Sequence, residues 1–346
     1  MKLVLENSYP LDKCYALTSL SYQGRKHLIV AAEKQSECLM FDLQGNLEET
    51  IWTEPGGTMS LVPVPDKDGW FLATQKMYSP NDALQAKIVL VRPRAKNDWT
   101  ITTLAEVPFT HRFDILESGG VRFLVVCTIK SGHDYKEDWS HPGKILAYEL
   151  PQDWSWIDEG KCVSFTVVAD GLFRNHGYWK GTTHAGDYCV IGADNGVFKV
   201  VPPSDRQSGW QVTQLLAEPT SDIAFVDFDG DGNNEMITLS PFHGDTIRIY
   251  SLQDGQYQVC YEYPQKVAFV HSLWAGYLDS KPYAIIGFRQ GERDILGFSY
   301  DGGYHVETLA TDVGSTNILR YDRGNDHCLL SANREINTIA FYKIER

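Results

Sequence analysis

Seven short apolar runs recur along this chain, and a second strand-like segment precedes each of them at a fixed distance. Stepping back twelve residues from His27, Trp70, Phe123, Tyr188, Asn234, Tyr283 and His327 lands on Tyr15, Thr58, His111, His176, Asp222, His271 and Ser315. Those positions open the segments YALTSL, TMSLVPV, HRFDIL, HGYWKG, DIAFVDF, HSLWAG and STNILRY. The spacings between successive units are 43, 53, 65, 46, 49 and 44 residues. The runs themselves, such as HLIVAAE, RFLVVCT and YCVIGAD, are short, β-branched or aromatic, and bounded by turn residues, so they read as strands. No stretch carries a convincing amphipathic helix. Third and fourth strands follow in each unit, as in DTIRIYSL then YQVCYEY. Seven repeats of four antiparallel strands predict an all-β chain folded as a seven-bladed β-propeller. Two stacked β-sandwiches would not need the constant offset.

The ends support one domain over residues 1–346. The 32 residues from Ser315 onward hold three strands, and KLVLEN can supply the fourth. The last blade is therefore expected to combine the C-terminal strands with residues 1–9, Lys2–Asn7 pairing with Thr338–Ile344. Such closure removes the open edge of the ring.

Composition excludes several classes. A net charge of −14 lacks the basic stripe that nucleic acid binding needs. No stretch nears the ~18 apolar residues of a membrane span. The start, MKLVLENSYPL, does not read as a signal peptide. Seven cysteines without a CxxC pair, mostly within apolar runs, read as buried reduced thiols. Together these give the expectation of a cytoplasmic protein with no nucleic acid, membrane or partner protein inferred. GxSxG, HExxH, Walker and GxGxxG motifs are absent.

In a propeller the start of each first strand, and the residue eighteen further on, face one funnel. The first set contains His111, His176 and His271 at equivalent positions. Converging imidazoles act as acid and base near neutral pH, or hold a metal. Arg112, Lys130 and Arg289 lie beside them and suit an anionic group. Unit three carries an insertion, CTIKSGHDYKEDWSHPGK, whose Trp139 and Tyr135 offer faces for a sugar ring. His133, His243 and Asn333 complete the expected binding set. Asp227, Asp229, Asp231 and Glu235, with the Asn233 carbonyl, have the hard-oxygen spacing of a structural calcium site on the opposite face.

The run Asp227-Phe-Asp229-Gly-Asp231-Gly-Asn-Asn-Glu235 resembles the FG-GAP/VCBS repeat of integrin-like propellers, and HSLWAGYLDSKPYAIIGFR looks like a worn copy that keeps Asp279. HSLWAG…IIGFR, NHGYWKG…VIGADNG and GSTNILRY are similar to the propeller domain of aldos-2-ulose dehydratase and related sugar lyases. That resemblance covers units four to seven and implies a sugar-dehydrating site in the propeller; the cupin domains that accompany that enzyme are not in this sequence.

The expected function is a carbon–oxygen lyase acting on a sugar or uronic-acid saccharide in the funnel. One of His111, His176 or His271 serves as base, and Tyr135 or a second imidazole as acid. Arg289 and Lys130 hold the carboxylate. If the three histidines bind a divalent metal instead, the ion stabilises the enolate. The alternatives are a non-catalytic carbohydrate- or protein-binding propeller, and a glycoside hydrolase using two of Glu33, Asp194 and Asp222.

Overall fold

The apolar runs become strands covered on both faces, which is why they read as unbroken apolar stretches. Glu235–Ser240 is buried along its whole length, and Phe71–Gln75 likewise. Each such strand is the second of its blade, pressed between the two neighbouring blades. The fourth strands lie at the rim and are open: Gln256–Glu262 has mostly exposed residues. The computed structural model describes residues 1–35, 37–159, 163–205 and 207–345.

The strands form seven antiparallel four-stranded blades. Blade one spans 14–52, blade two 61–106, blade three 110–172, blade four 177–216, blade five 222–262 and blade six 268–310. Blades three and four are joined into one sheet by a single pairing, Ser118 with Gly186. Blade seven is the composite one expected. Lys2–Pro10 pairs with Thr338–Glu345, Lys2 opposite Glu345 and Pro10 opposite Thr338, through a bulge between Leu5 and Asn7. Arg323 ties the seam by donating to both carboxylate oxygens of Glu6, at 2.6 and 2.9 Å.

Apolar clusters lie between blades. Ile29, Met40, Phe71 and Val89 join blades one and two, Leu72, Leu90, Leu124 and Val126 join two and three, and Phe41, Leu330 and Phe341 join seven and one. The other four blade interfaces each hold a cluster of the same kind.

The first two strands are linked by tight hairpins where the repeat is most regular. Gln23 and Gly24 both have positive φ, 52° and 71°, and so do Asp279 and Ser280, 47° and 64°. This is the turn type that matches the strand twist. Asp279 is thus a turn residue, and its carboxylate meets His327 Nε2 at 2.7 Å. Unit six keeps no remnant of an acidic loop in working order.

Some expectations shift. Cys260 is exposed rather than buried, while Cys14, Cys38, Cys127, Cys189 and Cys328 are buried free thiols; Cys162 lies outside the described residues. The extra length of unit three comes from two places. One is the polar loop before Gly143–Leu150; the other is a segment with the short helix Ser155–Asp158, where Trp154, Trp156 and Ile157 pack on the blade two–three cluster. Among the described residues no helix is long and apolar enough to cross a membrane.

Candidate functional site

The register of the inner strands explains how side chains reach the axis. In three blades the ladder between the first and second strands slips at one residue: between Cys14 and Ala16, between Thr110 and Arg112, and between Val270 and Ser272. The residues left over are Tyr15, His111 and His271. A bulge re-aims the extra side chain, and here it turns all three inward. His176 precedes the strand Gly177–Thr183 and is held by its amide donating to the Gly192 carbonyl at 3.1 Å.

The imidazoles meet. His111 and His176 have ring centroids 4.4 Å apart, and His176 and His271 have theirs 5.1 Å apart. His243 completes the group, 5.2 Å from His176 and 5.4 Å from His271. It reaches the axis from the turn after the second strand of blade five. There it is stacked between Phe242, at 3.8 Å, and Phe269, at 4.2 Å. The Tyr15 hydroxyl lies 3.3 Å from His271 Nε2. His176 Nδ1 faces the Ser221 carbonyl at 3.0 Å and His271 Nδ1 the Thr316 carbonyl at 2.7 Å, so both Nδ1 atoms donate. His111, His176 and His271 are 3%, 1% and 1% exposed, and His243 is half-buried on the solvent side.

This cluster is neutral. Burial, reinforced by the neighbouring imidazoles and Arg112, holds His111 and His271 well below the usual imidazole range. Burial and the nearby guanidiniums bring His176 down to about 3, and burial with His176 beside it brings His243 to about 2. An unfolded imidazole titrates near 6.5. Below that pH the unfolded chain takes up protons that the folded one refuses, so stability is full above about 6.5 and declines as pH falls. Asp114 and Asp222, pushed up to about 6 by burial, act the other way between about 4 and 6. Burial raises Glu235 and Asp294 as well, but the unfolded imidazoles take up protons from about 6.5 downward, before the carboxyls act. The unfolding free energy measured with denaturant should therefore fall between pH 7 and pH 5. His111→Phe should make that slope shallower by ~1 kcal/mol per pH unit; an unchanged slope would show that His111 is charged when folded.

The cations expected at the funnel are mostly engaged. Arg289 donates to Glu335 through Nε at 2.8 Å and also lies over the Phe269 ring. Lys130 is 1% exposed and its ammonium donates to Asn81 Oδ1 at 2.7 Å and to the Asp138 carbonyl at 2.9 Å. Trp139 carries two cations on its ring, Lys130 at 4.9 Å and Arg174 at 5.1 Å, and meets the edge of Phe242. Arg174 was not singled out from sequence. It pairs with Asp194 at 2.5 Å and borders a cavity of about 230 Å³ with Trp139, Phe173, Asp194 and Asn195.

Other expected site residues lie elsewhere. Arg112 does not join the funnel rim: it lines the central channel, a cavity of about 420 Å³ shared with Asp222, Trp179, Trp274 and Asn317, and donates to the Met59 carbonyl at 2.8 Å. Asn333 is buried inside blade seven, its Oδ1 accepting from Ser331 at 2.6 Å and its Nδ2 donating to the Tyr342 hydroxyl at 3.4 Å, so its side chain is engaged within the blade. Tyr135 is 67% exposed, and among the described residues no hydrogen bond or ring contact ties it to the imidazoles. His133 is half-buried with its edge against Phe109 at 5.7 Å.

The acidic loop of blade five connects Asp222–Val226 with Glu235–Ser240, away from the imidazoles. Asp227, Asp229 and Glu235 bring one oxygen each within 4.8 Å of the others. Asp231 and Asn233 fall outside that set. Asp231 accepts from the Asn233 amide at 2.7 Å, while Asp227 accepts from the Gly230 and Gly232 amides. On the axis, the set of ring nitrogens within 4.8 Å of one another is His176, His243 and His271, not the expected His111, His176 and His271. His111 packs against His176 with the two rings tilted by 35°.

Among solved structures the chain is similar to BBS1N in its complex with ARL6DN. A crystal soaked with mercury matches with a TM-score of 0.59 at 11% identity, over 99% of this chain and 97% of that one. A crystal soaked with lead gives 0.58 at 12% identity over the same shares. At such identity the likeness is one of fold, the β-propeller. No family model matches the chain, and no curated protein matches it by sequence.

Proposed function

We propose that this propeller is a carbon–oxygen lyase for anionic saccharides, working at the rim where Phe242 lies between His243 on one side and Trp139 and Arg174 on the other. The observation that carries the reading is the cluster of four neutral imidazoles on the axis, of which only His243 is half-exposed. A neutral imidazole has a lone pair free for a proton, and an anionic substrate bound beside His243 raises the basicity that burial has lowered. Arg174 lies beside the cavity under Trp139 and is paired with an exchangeable carboxylate, Asp194. A uronate carboxylate competes for the same fork. His243 takes the proton on the carbon next to that carboxylate. The electron pair forms the carbon–carbon double bond, the carbon–oxygen bond breaks, and the departing oxygen takes a proton from a hydroxyl or water at the rim.

The hydrolase alternative has weaker support. Glu33 is paired with Arg334, Asp194 with Arg174, and Asp222 faces the channel, so no two of them flank one cavity. A binding propeller is the second reading, and the burial of His111, His176 and His271 favours it. The test is incubation with uronate-containing and keto-sugars while following the ultraviolet absorbance of an unsaturated product. Growth of that absorbance on uronates is expected. Saccharides that bind without any product would replace the lyase reading with the binding one.

A further inference from the structure

We propose that His176, His243 and His271 together hold a single divalent first-row transition-metal ion on the propeller axis.

The argument starts with how the rings are fixed. A histidine that binds metal through one nitrogen usually donates the other N–H to a carbonyl or carboxylate, which sets both tautomer and ring plane. His176 and His271 have this arrangement through the Ser221 and Thr316 carbonyls. Their Nδ1 atoms carry the protons, so their Nε2 atoms present lone pairs. His176 Nε2 is buried and has no hydrogen-bond partner. An unpaired acceptor in a dry interior is costly, and a cation is the natural partner for a lone pair that no donor reaches. His271 Nε2 meets only the Tyr15 hydroxyl, at 3.3 Å. That hydroxyl can turn aside and hydrogen-bond to a water or anion on the ion.

The third ligand closes the set. One ring nitrogen each from His176, His243 and His271 lies within 4.8 Å of the other two. A tetrahedral ion with bonds of about 2.1 Å needs its nitrogens about 3.4 Å apart. Ring rotation and a small inward shift of the His243 turn supply the difference. His243 is gripped between two parallel aromatic rings, which orient its plane without using its nitrogens.

Ligand chemistry selects the ion. Three neutral imidazoles with neither carboxylate nor thiolate suit zinc, cobalt, nickel or copper, and not calcium or magnesium, which take oxygen. Three protein ligands leave at least one position open. The guanidiniums that bear on these three imidazoles are Arg112, Arg174 and Arg289, so an anion completing the coordination would be welcome. This inference does not rest on the lyase reading and competes with it, because the single lone pair of a neutral His243 serves either the ion or the substrate proton.

The test is titration of metal-free protein with Co2+, read by isothermal calorimetry and by the visible absorption of the bound ion, with no substrate present. The wild type should bind one equivalent and show the intense bands of nitrogen-ligated, low-coordinate cobalt. His243→Ala changes a half-buried turn residue and should weaken binding at least about 100-fold while the metal-free protein still unfolds in one cooperative transition. His176→Ala should do the same where it folds. His141→Ala, in the separate Asp134, Asp138 and His141 group of the blade-three loop, should leave binding intact. No binding by the wild type overturns the proposal. So does unchanged affinity in His243→Ala, or loss of the ion in His141→Ala alone. Cobalt binding with no lyase product would sink the proposed activity and leave the metal site standing.

Discussion

His243→Ala is expected to lower lyase turnover by at least about 100-fold, the lower end for removal of a general acid or base. The imidazole is the one member of the axial group on the solvent side, and burial keeps it neutral well below physiological pH. Its neighbours cannot stand in for it. His111, His176 and His271 lie deeper, and the Nδ1 atoms of the last two are committed to carbonyls. Arg174→Ala should behave differently, raising KM more than it lowers kcat, because a carboxylate anchor acts on ground and transition states alike. The measurement is steady-state kinetics on whichever uronate gives product. Turnover near that of the wild type in His243→Ala would move the chemistry away from the axis.

Removing residues 1–10 should be the most damaging change to the fold. The strand Lys2–Pro10 is the outer strand of blade seven and the only strand of that blade from the N-terminal end. Its loss uncovers the ladder edge of Thr338–Glu345, exposes Ile344 where Leu3 covered it, and deletes the Glu6–Arg323 and Met1–Glu307 ion pairs. Burial of Leu3 alone contributes about 2 kcal/mol, and an open edge invites pairing with other chains. The sum is a large share of the about 5–15 kcal/mol that a folded domain has in hand. We expect the melting temperature to fall by about 10 °C or more, with aggregation on heating. A synthetic peptide of the deleted residues should restore part of the loss. A truncated chain that melts like the full one would show that closure contributes little.

Much of the fold was legible because a propeller writes its geometry as period. The offset between Tyr15 and His27, or His271 and Tyr283, is the length of one hairpin arm, and seven such arms at similar spacing leave few other architectures. The closing strand was legible from length alone. The site was legible only in part. Starting positions of inner strands brought His111, His176 and His271 to one axis, as the shared register implied. What register cannot convey is the bulge: Tyr15 and His271 touch because an extra residue turns each inward, and a slipped ladder leaves no mark in the alternation of side chains. His243, expected among the binding residues, lies on a turn outside any repeated position, so nothing in sequence set it beside His176 and His271, where the structure has it between Phe242 and Phe269. Lys130 and Arg289 each found a partner inside the protein, and Asn333 turned into blade seven. A polar residue at a strand end looks the same in sequence whether it awaits a ligand or is already engaged. Tyr135 failed for another reason, since a polar loop of that length has no period to say which way its rings face.

The apolar clusters lie mainly between neighbouring blades, and that of blades one and two extends through Phe109 and Ile129 to Trp139 and Phe242. Mechanically the molecule is a hoop of seven joints around a bore. The gap between His176 and His271 is then not a local dimension. It is the accumulated result of every joint angle around the hoop, as the fit of a barrel depends on each of its staves. A slackened joint on the far side, between blades seven and one, would be felt at the axis as surely as a change beside the imidazoles. Substitutions such as Phe341→Leu, remote from any ring nitrogen, thereby become handles on how wide the bore stands and how readily the imidazoles close.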